Sequence, residues 1–349
     1  MPAPRYDFAS DNTAGLCPEA VAALADANRG SAPSYGDDPW TARARAAFRE
    51  VFETDCDVFF VFNGTAANAL ALAACCGGRS HTRVLCQETS HVETDECGAP
   101  EFFTGGAKIT PVTGANGKLH VAEIARAIDR GHGIHYPKPA ALSLTQSTEW
   151  GTVYTQDEIK ALAALAHAHR LMVHMDGARF ANAVAALGAR PADLTWRAGV
   201  DVLCFGGTKN GMLSTEAVVF FNRELAREFD YRVKQSGQLA SKMRFAAAQW
   251  TALLHDGAWL RHAAHANRQA KGLATALRQL PGLTLLVEPH VNAVFVEMPP
   301  AVHAALLELG WEFYRFIGEH GYRLMCSWAT TDADIAALLA DVETVLASR

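Results

Sequence analysis

His174-Met-Asp-Gly-Ala-Arg179 closes one apolar run, and Cys204-Phe-Gly-Gly-Thr-Lys-Asn-Gly211 ends the next. The runs that lead into them, Leu171 to Asp176 and Val200 to Phe205, are too apolar for exposed strands and are expected to be buried in a sheet. An acid ending such a strand belongs at the carboxyl edge of the sheet, where ligands of open α/β folds bind. Further short strands are expected at Val58–Phe62, Arg83–Cys86, Lys108–Val112, Ala140–Thr145 and Glu216–Phe221. Helical patterns separate several of them: Ala66 to Cys76, a helix capped by Thr155 with Glu158 and running to about Arg170, and Phe180 to Leu187. This alternation predicts an α/β chain with a mostly parallel sheet between helices.

The texture changes after Ser241. A long helical stretch from about Lys242 to Leu280 is expected, broken near Asp256-Gly257. Strand-like Val291 to Glu297, a helix around Ala301 to Gly310 and the run Tyr322 to Ser327 follow. Thr331 with Asp334 caps a closing helix whose apolar face is Ile335, Leu338, Leu339, Val342, Val345 and Leu346. This part reads as a small α+β unit.

Half of the 349 residues are hydrophobic, and the formal net charge is −6. That mild acidity, without a basic stripe, gives no reason to expect nucleic acid or an anionic membrane as partner. Residues 1–8 lack the apolar stretch of a signal peptide, and no segment is apolar enough to span a bilayer, so a cytoplasmic chain is expected. The eight cysteines show no paired C-x-x-C spacing. They are read as reduced core residues, with no metal site.

Asp176 and Lys209 together point to pyridoxal phosphate (PLP). A lysine amine forms a Schiff base with its aldehyde, and a carboxylate keeps the ring nitrogen protonated so that the ring accepts electrons. The plainer readings are a solvated loop lysine, and an aspartate that caps the next helix and pairs with Arg179. Asn63-Gly-Thr-Ala-Ala-Asn68 links a buried strand to a helix, and Gly64 and Thr65 offer N–H groups where a helix start favours phosphate. Thr65 as an ordinary N-cap is the competing reading. His91, just beyond the strand at Arg83, is placed to lie on a face of the ring.

These residues resemble the PLP-dependent threonine aldolases of fold type I, grouped with the β-eliminating lyases. The likeness begins at Ala9-Ser-Asp-Asn12 and continues through Tyr35-Gly-Asp-Asp-Pro39, Asn63–Asn68, His91, His174–Arg179 and Thr208-Lys209. It implies a large PLP-binding domain over residues 1–245, with an N-terminal arm and a seven-stranded sheet, and a small C-terminal domain over 246–349. It also implies retro-aldol cleavage of threonine, allo-threonine or related β-hydroxy-α-amino acids such as phenylserine, giving glycine and an aldehyde.

By the same resemblance, Lys209 is the Schiff-base lysine, Asp176 the ring-nitrogen partner and His91 the ring-stacking residue. Gly64, Thr65 and Thr208 belong to the cofactor grip, as does Lys234, which reaches phosphate across a subunit boundary. Ser10, Arg179 and Arg323 hold the substrate carboxylate. Tyr35 lies near the neighbouring site, implying a dimer at least and commonly a homotetramer with shared active sites. Many relatives carry a histidine in the loop after the central strand. Here Thr145-Gln-Ser-Thr-Glu-Trp-Gly151 places Glu149 there, either as a proton acceptor for the substrate hydroxyl or as a solvated loop acid. Another fold type I enzyme, an aminotransferase or β-eliminating lyase, and a non-catalytic PLP-fold binding protein are the alternatives.

Overall fold

The computed structural model describes residues 7–131 and 133–348. The signal-peptide reading rests largely on residues 1–6, outside the described part.

Seven strands form the large sheet: β1 (Asp57–Val61), β2 (Thr82–Gln87), β3 (Lys108–Val112), β4 (Lys138–Thr145), β5 (Met172–Gly177), β6 (Val202–Gly206) and β7 (Glu216–Phe220). Their spatial order is β1-β7-β6-β5-β4-β2-β3. β2, β3, β4, β5 and β6 pair in parallel, and β7 runs antiparallel to both neighbours. Every residue of β2, β6 and β7 is buried. That explains why β6 and most of β7 read as continuous apolar runs rather than alternating ones.

Register decides where chemistry can collect. Thr145 pairs with Asp176, and Asp176 with Cys204. Glu216, at the start of the reversed strand, pairs with Gly206 on one side and Val61 on the other. Four strand ends and one strand start therefore meet at a single edge.

The expected break after Ser241 is present. Helices Arg244–Leu254 and Ala258–Leu277 are separated at Asp256 (φ 55°) and Gly257 (φ 66°). A second sheet of four antiparallel strands follows, in the order β10-β11-β9-β8, from β8 (Thr284–Val287), β9 (Ala293–Glu297), β10 (Tyr314–Ile317) and β11 (Gly321–Met325). The sequence patterns missed β8 and β10. Both are outer strands with no fully buried residue, so they carry no apolar alternation to detect. Both expected capping boxes, at Thr155 and Thr331, are formed.

Trp250 anchors the main core, with its ring 5.1 Å from both Phe48 and Phe205. The C-terminal core gathers Trp311, Val294 and Leu338, and it takes in Phe8 from the opposite end of the chain. The helix Ala258–Leu277 serves both cores: Trp259 and Ala263 belong to the first, and Ala270 to Leu277 to the second. This division falls later in the chain than residue 245. Among the described residues no helix is long and apolar enough to cross a membrane. All eight cysteines are free thiols; seven are buried, but Cys97 is exposed, which corrects its reading as a core residue.

Candidate active site

A cavity of about 340 Å³ opens at this edge, lined by Asn12, Gly64, Thr65, Asn68, His91, Glu149, Asp176, Arg179, Thr208, Lys209 and Glu216, among others. Residues expected to share a site from five separate stretches of sequence are thus brought together.

Asp176 is buried, and its carboxylate accepts hydrogen bonds from Asn68 Nδ2 (2.8 Å) and from the Ala178 backbone N–H (2.9 Å). It does not cap the following helix onto Arg179. Arg179 turns away to Asp11, donating from Nε (2.7 Å) and Nη2 (2.8 Å). Burial pushes the Asp11 carboxyl up, but Arg179, Lys209 and the Asn292 amide together hold it below its ordinary value.

The lysine loop shows why its glycines are there. A Cβ on Gly206 would lie 2.3 Å from the Ala178 carbonyl oxygen, and one on Gly207 would lie 2.8 Å from the Trp250 ring. These glycines let the β5 and β6 loops and the aromatic core close up behind Lys209. Glu216 fastens the same loop, accepting from the Gly207 N–H at 2.6 Å. Burial pushes its carboxyl up to about 7, against the hydrogen bonds of the Thr208 and Gly207 groups and the charge of Lys209.

At the start of the helix Gly64–Cys76 the cap is Asn63, whose side chain accepts from the Ala66 N–H at 2.9 Å. Thr65 is therefore not the N-cap. The N–H groups of Gly64 and Thr65 open the helix without intrahelical acceptors. A Cβ built on Gly64 meets nothing within 4 Å, because its face is cleft. A helix start with bare N–H groups on a cavity wall suits a phosphate, and the lysine and acid elsewhere on that wall suit the rest of PLP.

His91 Nδ1 lies 2.9 Å from Glu96 Oε1, a bond that raises the histidine's pKa against the effect of burial. Glu149 is a cleft residue rather than a solvated loop acid. Its carboxylate accepts from the His91 backbone N–H at 3.3 Å, and burial, then the charge of Asp176, raise its pKa.

Arg323 is buried beside this cavity, in a small adjoining pocket shared with Glu149 and Arg179. It donates to the Ala9 carbonyl and the Tyr314 hydroxyl, and its guanidinium lies 4.5 Å from the Phe316 ring centre. Ser10 does not line the cleft; its hydroxyl accepts from the Asn12 N–H, and it is Asn12 that faces the cavity. Tyr35 and Lys234 lie outside it too. Both are exposed, with the Lys234 ammonium 5.0 Å from the Tyr35 ring centre. His174 is a core group between Ser143 and Cys204, and burial lowers its pKa to about 4.

Sequence reasoning missed Asp11, Asn68, Glu96 and Glu216. Asn68 and Asp11 lay inside quoted strings, and Glu216 opened a wholly apolar run, which was the available signal. Glu96 had none.

The profile of the β-eliminating lyase family matches residues 7–300. The chain belongs to this family. It is a PLP-dependent lyase with the fold type I architecture. Among its β-eliminating lyase relatives, the low specificity L-threonine aldolase of Pseudomonas aeruginosa is 57% identical over 97% of both chains. The low specificity L-threonine aldolase of a Pseudomonas species is 55% identical over 98% of both. The solved threonine aldolase of Leishmania major superposes with a TM-score of 0.91 at 27% identity, covering 98% of this chain and 99% of that one.

Proposed function

We propose that this chain cleaves L-threonine, L-allo-threonine and related β-hydroxy-α-amino acids, phenylserine included, to glycine and an aldehyde. The carrying observation is that Lys209, Asp176, His91 and Glu149 line one cleft. The two Pseudomonas relatives, matched over nearly their whole length, support the substrate class.

Bound PLP supplies an electron sink for the pair released when the Cα–Cβ bond breaks. Lys209 would provide the amine that holds its aldehyde carbon. Gly64 and Thr65 offer N–H groups to its phosphate, with Thr208 beside them, and Lys234 adds its charge from a second copy of the chain. Asp176, fixed by Asn68 and the Ala178 N–H, places its negative charge where a pyridine nitrogen must stay protonated. Arg179 is held on one edge by Asp11, which leaves Nη1 for the substrate carboxylate, and Arg323 stands next to it. His91 or Glu149 takes the β-hydroxyl proton; such help contributes roughly 10²–10⁴-fold. The assembly is a homotetramer with shared active sites, in the cytoplasm. The exposed Tyr35–Lys234 pair offers a surface for a neighbouring subunit.

Incubating the holoenzyme with L-threonine should release acetaldehyde and glycine in equal amounts. Amino transfer to a keto acid with no aldehyde released would overturn the reading.

A further inference from the structure

A buried chain of hydrogen bonds joins the strand-end acid to the histidine across the cleft. Asn68 Nδ2 donates at 2.8 Å to Asp176 Oδ2 and at 2.8 Å to Glu96 Oε1. The same Glu96 oxygen lies 2.9 Å from His91 Nδ1. The Glu96 side chain has no exposed surface, and its Oε2 is buried without a partner, as is Asn68 Oδ1. Burying an acid with an oxygen unmatched is costly. Asn68 also gives up its own acceptor in order to turn its amide toward two carboxylates. The fold bears both costs at a point where, among the described residues, the cationic partner Glu96 can acquire is His91.

We propose that Glu96 is a positioning residue for His91: it fixes the imidazole with Nδ1 protonated and Nε2 free to accept, while Asn68 ties the pair to Asp176. This deepens the reading of His91 as a proton acceptor and rests on it. A ring nitrogen donating to a carboxylate determines which nitrogen is left to accept. Other charges around the pair act in the same direction. Asp95, 3.6 Å from His91 Nε2, and Asp176 and Glu149 across the cleft all favour the imidazolium. Glu96 itself faces His91, Asp176 and the neutral thiol of Cys204. The hydrogen bond from His91 Nδ1 to Glu96 is the largest of these influences on His91 and exceeds the opposing effect of burial.

The test is a pH titration of the imidazole carbon resonances of histidine-labelled holoenzyme, with His91 assigned by its loss in His91→Asn. The parent should titrate above the ordinary histidine value of about 6.5. In Glu96→Gln, which keeps an acceptor oxygen but no charge, the midpoint should fall by about one pH unit or more. The acid limb of kcat/KM should move the same way, with kcat reduced and KM little changed. A parent midpoint at or below the ordinary value overturns the proposal, and that measurement needs no variant. An unmoved midpoint in a folded, cofactor-bearing Glu96→Gln overturns it as well. If the midpoint falls but the rate profile does not follow, the tuning by Glu96 stands and the reading of His91 as proton acceptor fails.

Discussion

At the sheet edge, Asp176, Glu216 and Thr208 each accept from a backbone N–H of a neighbouring loop: Ala178, Gly207 and Thr215 respectively. On the other side of the cleft, Arg179 and Arg323 are held by Asp11, the Ala9 carbonyl and Tyr314, which come from the N-terminal segment and the small sheet. The first set is fixed by strand register within a stretch of about forty residues. The second depends on segments from opposite ends of the chain packing together. On the proposed roles, the groups that hold the cofactor therefore rest on the sheet edge, and the arginines that grip the substrate rest on a layer assembled from distant pieces. Damage to one side should appear in kcat, and damage to the other in KM.

The largest effect is expected at Lys209. Lys209→Ala should lose essentially all turnover, and borohydride should no longer fix the cofactor to the chain; covalent trapping in the variant would break the comparison at its strongest point. Asp176→Asn keeps the shape of the edge while removing its charge. It should still bind cofactor, as seen in the visible spectrum, but lower kcat by about 10²-fold or more. Unchanged activity there would remove the sheet edge from the chemistry.

On the far side, Arg323→Ala should raise KM by about 10- to 100-fold, the equivalent of losing a charged hydrogen bond of about 1.5–3 kcal/mol, with a smaller change in kcat. A pure kcat defect would place Arg323 with the reacting groups instead. The smallest effect is an acid response of the N-terminal segment. Asp11 has its pKa depressed in the folded protein, despite burial, by Arg179. Its contribution to stability is therefore present above the unfolded carboxylate value and is lost as pH falls through the folded one. Amide protection factors at residues 8–13 should fall below about pH 4 in the parent, while Asp11→Asn should show low protection at every pH.

The same division governed what could be read from sequence. Asp176 and Lys209 were legible because each ends or follows a buried apolar run, so sequence position translated directly into position at the sheet edge. The break at Asp256-Gly257 was legible because glycine interrupts a long helical pattern. Nothing local marked Asp11 as the partner of Arg179, 168 residues away. Glu96 looked like one more polar residue in a loop, and its burial follows only from how the helix Gly64–Cys76 lies against that loop. β8 and β10 escaped because an edge strand that packs little of itself leaves no period to find. Within the string Ala9–Asn12, the turn at Asp11–Thr13 brings Asn12, not Ser10, to the cavity wall, which the string alone did not mark.

The helix Ala258–Leu277, built into both cores, has a practical consequence for engineering. Grafting the C-terminal unit of a relative onto this chain at a loop would leave half of one core facing a stranger's surface. A splice placed on the helix itself, between Ala263 and Ala270, would let each half arrive with the neighbours it was built against, and chimeras joined there should express and fold where loop-joined ones fail.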